Sequence, residues 1–420
     1  MDKLIIRGGK PLYGEVDISG MKNSALPILF GTIAAADICT VGNVPDVSDI
    51  ALSLDILRAL GAKVRFVTAD TVLIDTRSVV MKSPPRELVG KIRGSTYLFG
   101  AMLARFGEAI VGYPGGCNFG ARPIEQHLKA FDALGAKVAY GDNANLHIVA
   151  EQGLHGNMIY FDLASVGATI NGMLAAVFAE GVTVLENVAR EPHIADMASF
   201  LNACGADISG AGTGTIRVRG VKRLHGCTYD IAPDMIEAGT YMTAAAAAGG
   251  RVTLCHVIPK HMEAVTQKLR EIGVSVTATD DTITVSSNRI YRATTIRTNP
   301  YPSFPTDMQP QFGALLCTSN GISTISEGIY ENRFKYTEEL IKMGANIEIE
   351  QGKGTAHITG VPMLKGTAVK ASDLRAGAAL VVAALGAEGV STISGLEYID
   401  RGYQELVSKL KALGADIRRD

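Results

Sequence analysis

Apolar positions along this chain recur in two distinct helical patterns. One is amphipathic. In Gln404-Glu405-Leu406-Val407-Ser408-Lys409-Leu410-Lys411 the apolar residues return at three-to-four spacing and the charges fall on the other face, which predicts a surface helix. The other has almost no polar face. Tyr241-Met242-Thr243-Ala244-Ala245-Ala246-Ala247-Ala248 and Ala376-Gly377-Ala378-Ala379-Leu380-Val381-Val382-Ala383-Ala384 are apolar nearly all round, so they predict buried helices whose small side chains let backbones approach closely.

The amphipathic pattern ends six times on the same kind of junction. Gly61, Gly135, Gly205, Gly273, Gly344 and Gly414 each follow such a helix and precede a short alternating strand, at intervals of 74, 70, 68, 71 and 70 residues. A glycine there predicts a left-handed helix end, which a β-carbon disfavours. A second mark, Leu-x-Gly, stands at Leu12/Gly14, Leu154/Gly156, Leu224/Gly226 and Leu364/Gly366 between strand-like runs, and reads as a hairpin-type connection. One unit is therefore a hairpin, a buried helix, a strand, a loop, a surface helix and a strand. Six units group as two domains of three, dividing near Asp230 to Asp234.

Composition agrees with two packed domains. The 420 residues are 47% hydrophobic and 20% charged, enough to bury two cores. Aromatics are only 6% and Trp is absent, so Ala, Val, Ile and Leu must build those cores. The formal charge of −2 excludes a general nucleic-acid or membrane surface, and any anion site must be local. The opening residues hold no apolar stretch of signal-peptide length, and the longest apolar runs, such as Ala25 to Ala36, are too short to span a bilayer. The six cysteines form no Cys-x-x-Cys pair and no tight cluster along the sequence. They are expected to be reduced thiols in the cytoplasm, and all but Cys117 read as small buried hydrophobes.

Polar residues collect where the buried helices begin: Lys22-Asn23, Arg93-Gly94-Ser95, Ser165-Val166-Gly167, Asp234, Asp307 and Asp373-Leu374-Arg375. Helix N-termini attract phosphate and carboxylate, although Asp and Ser at such places also serve simply as caps. Cations at a helix start oppose the dipole, so Lys22, Arg93 and Arg375 need another reason to be there. The loop from Tyr113 to Pro123 sets Cys117 among glycines with Arg122 nearby, a setting that favours thiolate. Arg333 and Arg401 occupy similar loops before surface helices. No Walker A, GxGxxG, His-Glu-x-x-His or zinc spacing occurs, so no nicotinamide, ATP or metal cofactor is expected.

Ser19-Gly20-Met21-Lys22-Asn23-Ser24-Ala25, the Pro114-to-Pro123 loop, Pro305-Thr306-Asp307-Met308-Gln309 and Ser372-Asp373-Leu374-Arg375-Ala376 together resemble the UDP-N-acetylglucosamine enolpyruvyl transferases along the whole chain. The resemblance implies an α/β fold of two inverse α/β barrel domains, residues 22–232 and residues 1–21 with 233–420, closing on an induced-fit cleft. It implies transfer of the enolpyruvyl group of phosphoenolpyruvate to the 3′-hydroxyl of UDP-N-acetylglucosamine, with loss of phosphate, in peptidoglycan synthesis. By the same resemblance Cys117 is the general acid and the thiol alkylated by fosfomycin, and Asp307 is the base. Lys22, Asn23, Arg122 and Arg401 hold phosphoenolpyruvate, and Lys22 and Arg401 count with Cys117 and Asp307 as catalytic. Arg93, Arg122, Pro123, Ile124, Glu125, Gln126, Ser165, Val166, Gly167, Asp307 and Ile329 hold the nucleotide sugar. Asp234, Arg333, Asp373 and Arg375 support the cleft.

Two positions depart from the family pattern: Leu163 and Ser48 stand where many members carry lysine. The alternatives are a UDP-sugar-binding paralogue without turnover, or the same transfer to another nucleotide acceptor. Retention of Cys117, Asp307 and Arg401 favours an enzyme, since binding alone needs no acid or base. No nucleic acid, membrane or obligate protein partner is implied.

Overall fold

The computed structural model describes residues 2–113, 115, 123–140, 145–350 and 352–420. The chain divides into two units, one formed by the described residues from 20 to 232 and the other by residues 2–19 with 233–420. Both are mixed α/β, and each surrounds three core helices. In the first these are α1 (Lys22–Ala35), α2 (Tyr97–Phe106) and α3 (Val166–Ala176). In the second they are α4 (Met235–Ala248), α5 (Gln309–Leu316) and α6 (Leu374–Gly386). The three helices of each unit pack on one another.

The burial follows from the all-round apolar pattern. Every residue of α4 is buried, and in α1 only Asn23 is not. Pro27 lies inside α1, where proline costs about 3 kcal/mol. Ile28, Leu29, Phe30 and Ile33 of the same helix are fully buried, and each contributes roughly 1.5–3 kcal/mol, so packing outweighs the proline.

Around the core helices stand six sheets, five of four strands and one of three among the described residues. One pattern recurs. In the first, Thr228–Asp230 pairs parallel with Ile38–Gly42, which pairs antiparallel with Val72–Asp75, which pairs antiparallel with Lys63–Phe66. The chain start completes sheets of the other unit. Leu4–Arg7 lies between Val390–Ser394 and Asp416–Arg419, and Leu12–Asp17 runs parallel to Gly250–Cys255.

All six junction glycines adopt the left-handed conformation, with φ between 91° and 107°. The Leu-x-Gly marks turn out differently from the hairpin reading. Leu12 and Gly14 lie inside a strand, and the other three precede short strands that pair parallel, not antiparallel, with their neighbours. Glycine is needed there for proximity. A β-carbon on Gly156, Gly226 or Gly366 would come within 2.6 Å of backbone atoms of Val182, Ile38 or Val390.

Candidate functional site

The unit containing residues 233–420 gathers charge at the starts of its core helices. Asp234 caps α4, its Oδ1 accepting from Ile236 N at 2.7 Å and Glu237 N at 3.2 Å. Asp373 caps α6 in the same way, from Arg375 N at 2.9 Å and Ala376 N at 3.0 Å. Both aspartates therefore satisfy helix ends. Asp307 sits in the short 3-10 turn Thr306–Met308 before α5 and faces two guanidinium groups. Its Oδ1 accepts from Arg333 Nη2 at 2.8 Å, and its Oδ2 accepts from Arg375 Nε at 3.1 Å and Nη2 at 3.0 Å. The arginine side chains are 1% and 5% exposed, whereas that of Asp307 is 28% exposed. A partly reachable carboxylate is thus fixed in orientation by two buried cations.

Arg375 is held in turn by Tyr403. Its Nη1 donates to Tyr403 Oη at 3.2 Å, and the guanidinium lies 5.6 Å from the ring centroid. The same hydroxyl meets Thr240 Oγ1 at 2.9 Å and accepts from Gln311 Nε2 at 3.3 Å. Burial opposes the charge on Arg375, but Asp307, Tyr403 and Asp234 more than offset it and hold its pKa above the ordinary arginine range. Nearby, Glu327 Oε1 accepts from Ile329 N at 2.8 Å and Tyr330 N at 3.1 Å, while its Oε2 accepts from Thr306 Oγ1 at 3.0 Å. One carboxylate so ties the loop carrying Ile329 to the Asp307 turn. Arg401 is half-buried in the turn after Leu396–Ile399.

The unit containing residues 20–232 presents two groups of side chains. At the start of α1, the buried Lys22 donates to Asp49 Oδ2 at 2.9 Å. Asp49 lies in the first turn of the surface helix Ser48–Leu60 and supplies the reason a lysine tolerates a helix N-terminus. Asn23 beside it is half-buried.

The second group surrounds His127, in the helix Glu125–Ala133 that Pro123 and Ile124 lead into. Asn171 Nδ2 donates to Thr96 O at 3.0 Å and contacts His127 Nδ1 at 2.8 Å, while its Oδ1 accepts from Gly100 N at 2.8 Å. With both amide oxygen and amide nitrogen so committed, Nδ1 must be the acceptor and Nε2 carries the proton. Burial, with Arg93 nearby, lowers the His127 pKa to about 3. The ring packs on Gly167, where a β-carbon would come within 2.7 Å of it. Ser165 caps α3, accepting from Ala168 N at 3.3 Å. Gln126 exchanges two hydrogen bonds, each of 3.0 Å, with Asp162, next to the exposed Leu163. Arg93, the start of the 125–133 helix and the 165–167 segment thus converge around one buried imidazole.

Cys117 and Arg122 lie outside the described residues. The sequence does not single out His127, Asn171, Asp49 and Tyr403, because each acts through a partner distant along the chain, nor Glu327, whose bond to Thr306 spans 21 residues. The reading of the remaining cysteines as separate small hydrophobes needs correction. Cys39, Cys204 and Cys317 are buried, but Cys227 and Cys255 are only half-buried, and the fold brings Cys39, Cys204 and Cys227 together.

A family model described as EPSP synthase (3-phosphoshikimate 1-carboxyvinyltransferase) matches residues 6–410. The chain belongs to the enolpyruvyl transferase family. Among its relatives, this enolpyruvyl transferase is 52% identical to UDP-N-acetylglucosamine 1-carboxyvinyltransferase of Clostridium botulinum, over 100% of both chains. It is 50% identical to UDP-N-acetylglucosamine 1-carboxyvinyltransferase 2 of Bacillus cereus, over 100% of this chain and 97% of that one. The solved enolpyruvyl transferase NikO of Streptomyces tendae superposes with a TM-score of 0.89 at 27% identity, over 100% of this chain and 98% of that one. An EPSP synthase of Acinetobacter baumannii, at 19% identity and a TM-score of 0.76 over the full length of both chains, shares the fold.

Proposed function

We infer that this enolpyruvyl transferase moves the enolpyruvyl group of phosphoenolpyruvate to the 3′-hydroxyl of UDP-N-acetylglucosamine, releasing phosphate, as the first committed step of peptidoglycan synthesis. The observation that carries the acceptor is the contrast in identity: 52% over the full length to a UDP-N-acetylglucosamine 1-carboxyvinyltransferase, against 19% to an EPSP synthase. The roles assigned to side chains are part of the proposal. Asp307 takes the proton of the sugar hydroxyl, a role served by a carboxylate that is oriented yet reachable. Cys117 delivers the proton to C3 of the donor and is the thiol that fosfomycin alkylates. Lys22, Asn23, Arg122 and Arg401 bind phosphate and carboxylate. Arg93, Arg122 to Gln126, Ser165 to Gly167 and Ile329 bind the nucleotide sugar. Asp234, Arg333, Asp373 and Arg375 hold the supporting frame.

We place the reaction in the cytoplasm. Among the described residues no helix is long and apolar enough to cross a membrane. The decisive assay measures phosphate released from phosphoenolpyruvate. Release is expected only with UDP-N-acetylglucosamine present, and should largely vanish in Cys117→Ala while sugar-nucleotide binding persists. Absence of release from the wild-type chain at saturating substrates would refute the reading.

A further inference from the structure

The unit formed by residues 20–232 carries a cluster of thiols that enolpyruvyl transfer does not use. Three separate elements deliver them. Cys39 is the second residue of the strand Ile38–Gly42. Cys227 immediately precedes Thr228–Asp230, the parallel neighbour of that strand, and its carbonyl accepts from Thr40 N at 2.9 Å. Cys204 closes the helix Pro192–Ala203. The three sulfurs lie within 4.8 Å of one another, and Cys204 Sγ is 3.3 Å from Cys227 Sγ.

That spacing fits coordination. A four-coordinate cation about 2.3 Å from each of three thiolates holds its sulfurs about 3.8 Å apart; here one pair stands at 3.3 Å and all three lie within 4.8 Å of one another. The triangle is set by a strand ladder and a helix end, so its frame exists before anything binds. Cys39 and Cys204 are buried and Cys227 is half-buried, which leaves one edge through which an ion can enter. Packing alone does not call for this arrangement, since alanine or valine would fill the space without turning three sulfurs toward one another.

We propose that Cys39, Cys204 and Cys227 form a three-thiolate site for a soft d10 cation of the Zn(II) or Cd(II) class, with solvent as the remaining ligand on the Cys227 side. Each sulfur–metal bond that forms releases one thiol proton, and no oxidant or reductant takes part. The site is remote from the proposed chemistry. Cys39 lies next to the C-terminal end of α1, and the 14 residues of that helix set its far end, at Lys22, about 20 Å away.

The test is titration of the full-length protein, kept reduced, with Cd(II), reading sulfur-to-cadmium charge-transfer absorption in the near ultraviolet. A one-to-one end point is expected, with proton release in weak buffer and a rise in melting temperature. Cys117→Ala and Cys255→Ser should give the same end point. Cys227→Ser and Cys227→Ala, checked for folding by circular dichroism, should bind at least tenfold more weakly. Both should retain phosphate release, so failure of this site and failure of the transferase reading are distinguishable. No charge-transfer band in the wild-type protein, or an unchanged band in both Cys227 variants, would overturn the assignment.

Discussion

Asp307 and Arg375 meet through a single carboxylate oxygen, Oδ2, which accepts from both Nε at 3.1 Å and Nη2 at 3.0 Å. The other oxygen is taken by Arg333 at 2.8 Å. Removing this carboxylate strips a counter-charge from two guanidinium groups that are almost fully buried. Asp307→Ala should therefore lose about 2–4 kcal/mol of stability in chemical denaturation. Asp307→Asn retains one acceptor and should be milder. In both variants phosphate release should fall by at least about a hundredfold while substrate binding persists, as expected for loss of a general base. Wild-type turnover in Asp307→Asn would remove the residue from that role.

Tyr403 holds Arg375, which in turn holds Asp307. Tyr403→Phe keeps the ring under the guanidinium and deletes only the hydroxyl that joins Arg375, Thr240 and Gln311. A buried hydrogen-bond network losing its central member should cost about 1–3 kcal/mol. A purely structural role would change stability and leave kinetics intact. A positioning role predicts a reduced kcat with little change in KM, because Arg375 orients Asp307 rather than binding substrate. Equal kcat in the two proteins would count against it.

Lys22 and Asp49 form a second buried pair, 2.9 Å apart, with side chains 10% and 6% exposed. Removing Asp49 leaves the ammonium at a helix N-terminus without this carboxylate. A double-mutant cycle with Lys22→Met and Asp49→Asn should show a coupling of about 1–3 kcal/mol in unfolding free energy. Lys22→Met should also raise the KM for phosphoenolpyruvate far more than that for the sugar nucleotide. Additive stability effects would mean the contact contributes little.

How much of this was legible in the chain depends on how far each signal reaches. The six junction glycines and the apolar helices were readable because their cause is local: a left-handed helix end and a helix without a polar face. The capping roles of Asp234, Asp373 and Ser165 were readable for the same reason. The Leu-x-Gly marks were located correctly but misread, because the close approach that demands glycine is to a strand such as Ile38–Gly42, far from Gly226 in sequence. The Tyr403 hydroxyl and the Asn171–His127 pair were invisible for a related reason. A tyrosine next to Gly402 or a histidine on an amphipathic helix has many possible partners, and only packing selects one. The thiol triangle is the extreme case, since its members come from a strand, the residue leading into its parallel neighbour, and a helix end.

His127 gives the fold a specific acid sensitivity. Its folded pKa is lowered to about 3, against 6.5 for an ordinary histidine, first by burial and then by Arg93. The unfolded chain thus takes up a proton below pH 6.5, while the folded chain resists one until about pH 3. The stability contributed by the neutral ring is complete above pH 6.5 and is lost as pH falls toward 3, at up to about 1.4 kcal/mol per pH unit. A proton on Nδ1 would also face the amide donor of Asn171, so the network itself opposes the charged form. His127→Gln, which cannot titrate, should flatten this part of the pH–stability curve in denaturant titrations even if its stability at neutral pH is lower. Gly167→Ala attacks the same contact from the other side. Its methyl group would meet a ring that Asn171 prevents from moving aside, so the start of α3 must shift. That variant should lose about 1–3 kcal/mol and bind UDP-N-acetylglucosamine more weakly, with phosphoenolpyruvate binding little changed. An acid limb identical in wild type and His127→Gln would show that His127 contributes nothing to the acid sensitivity.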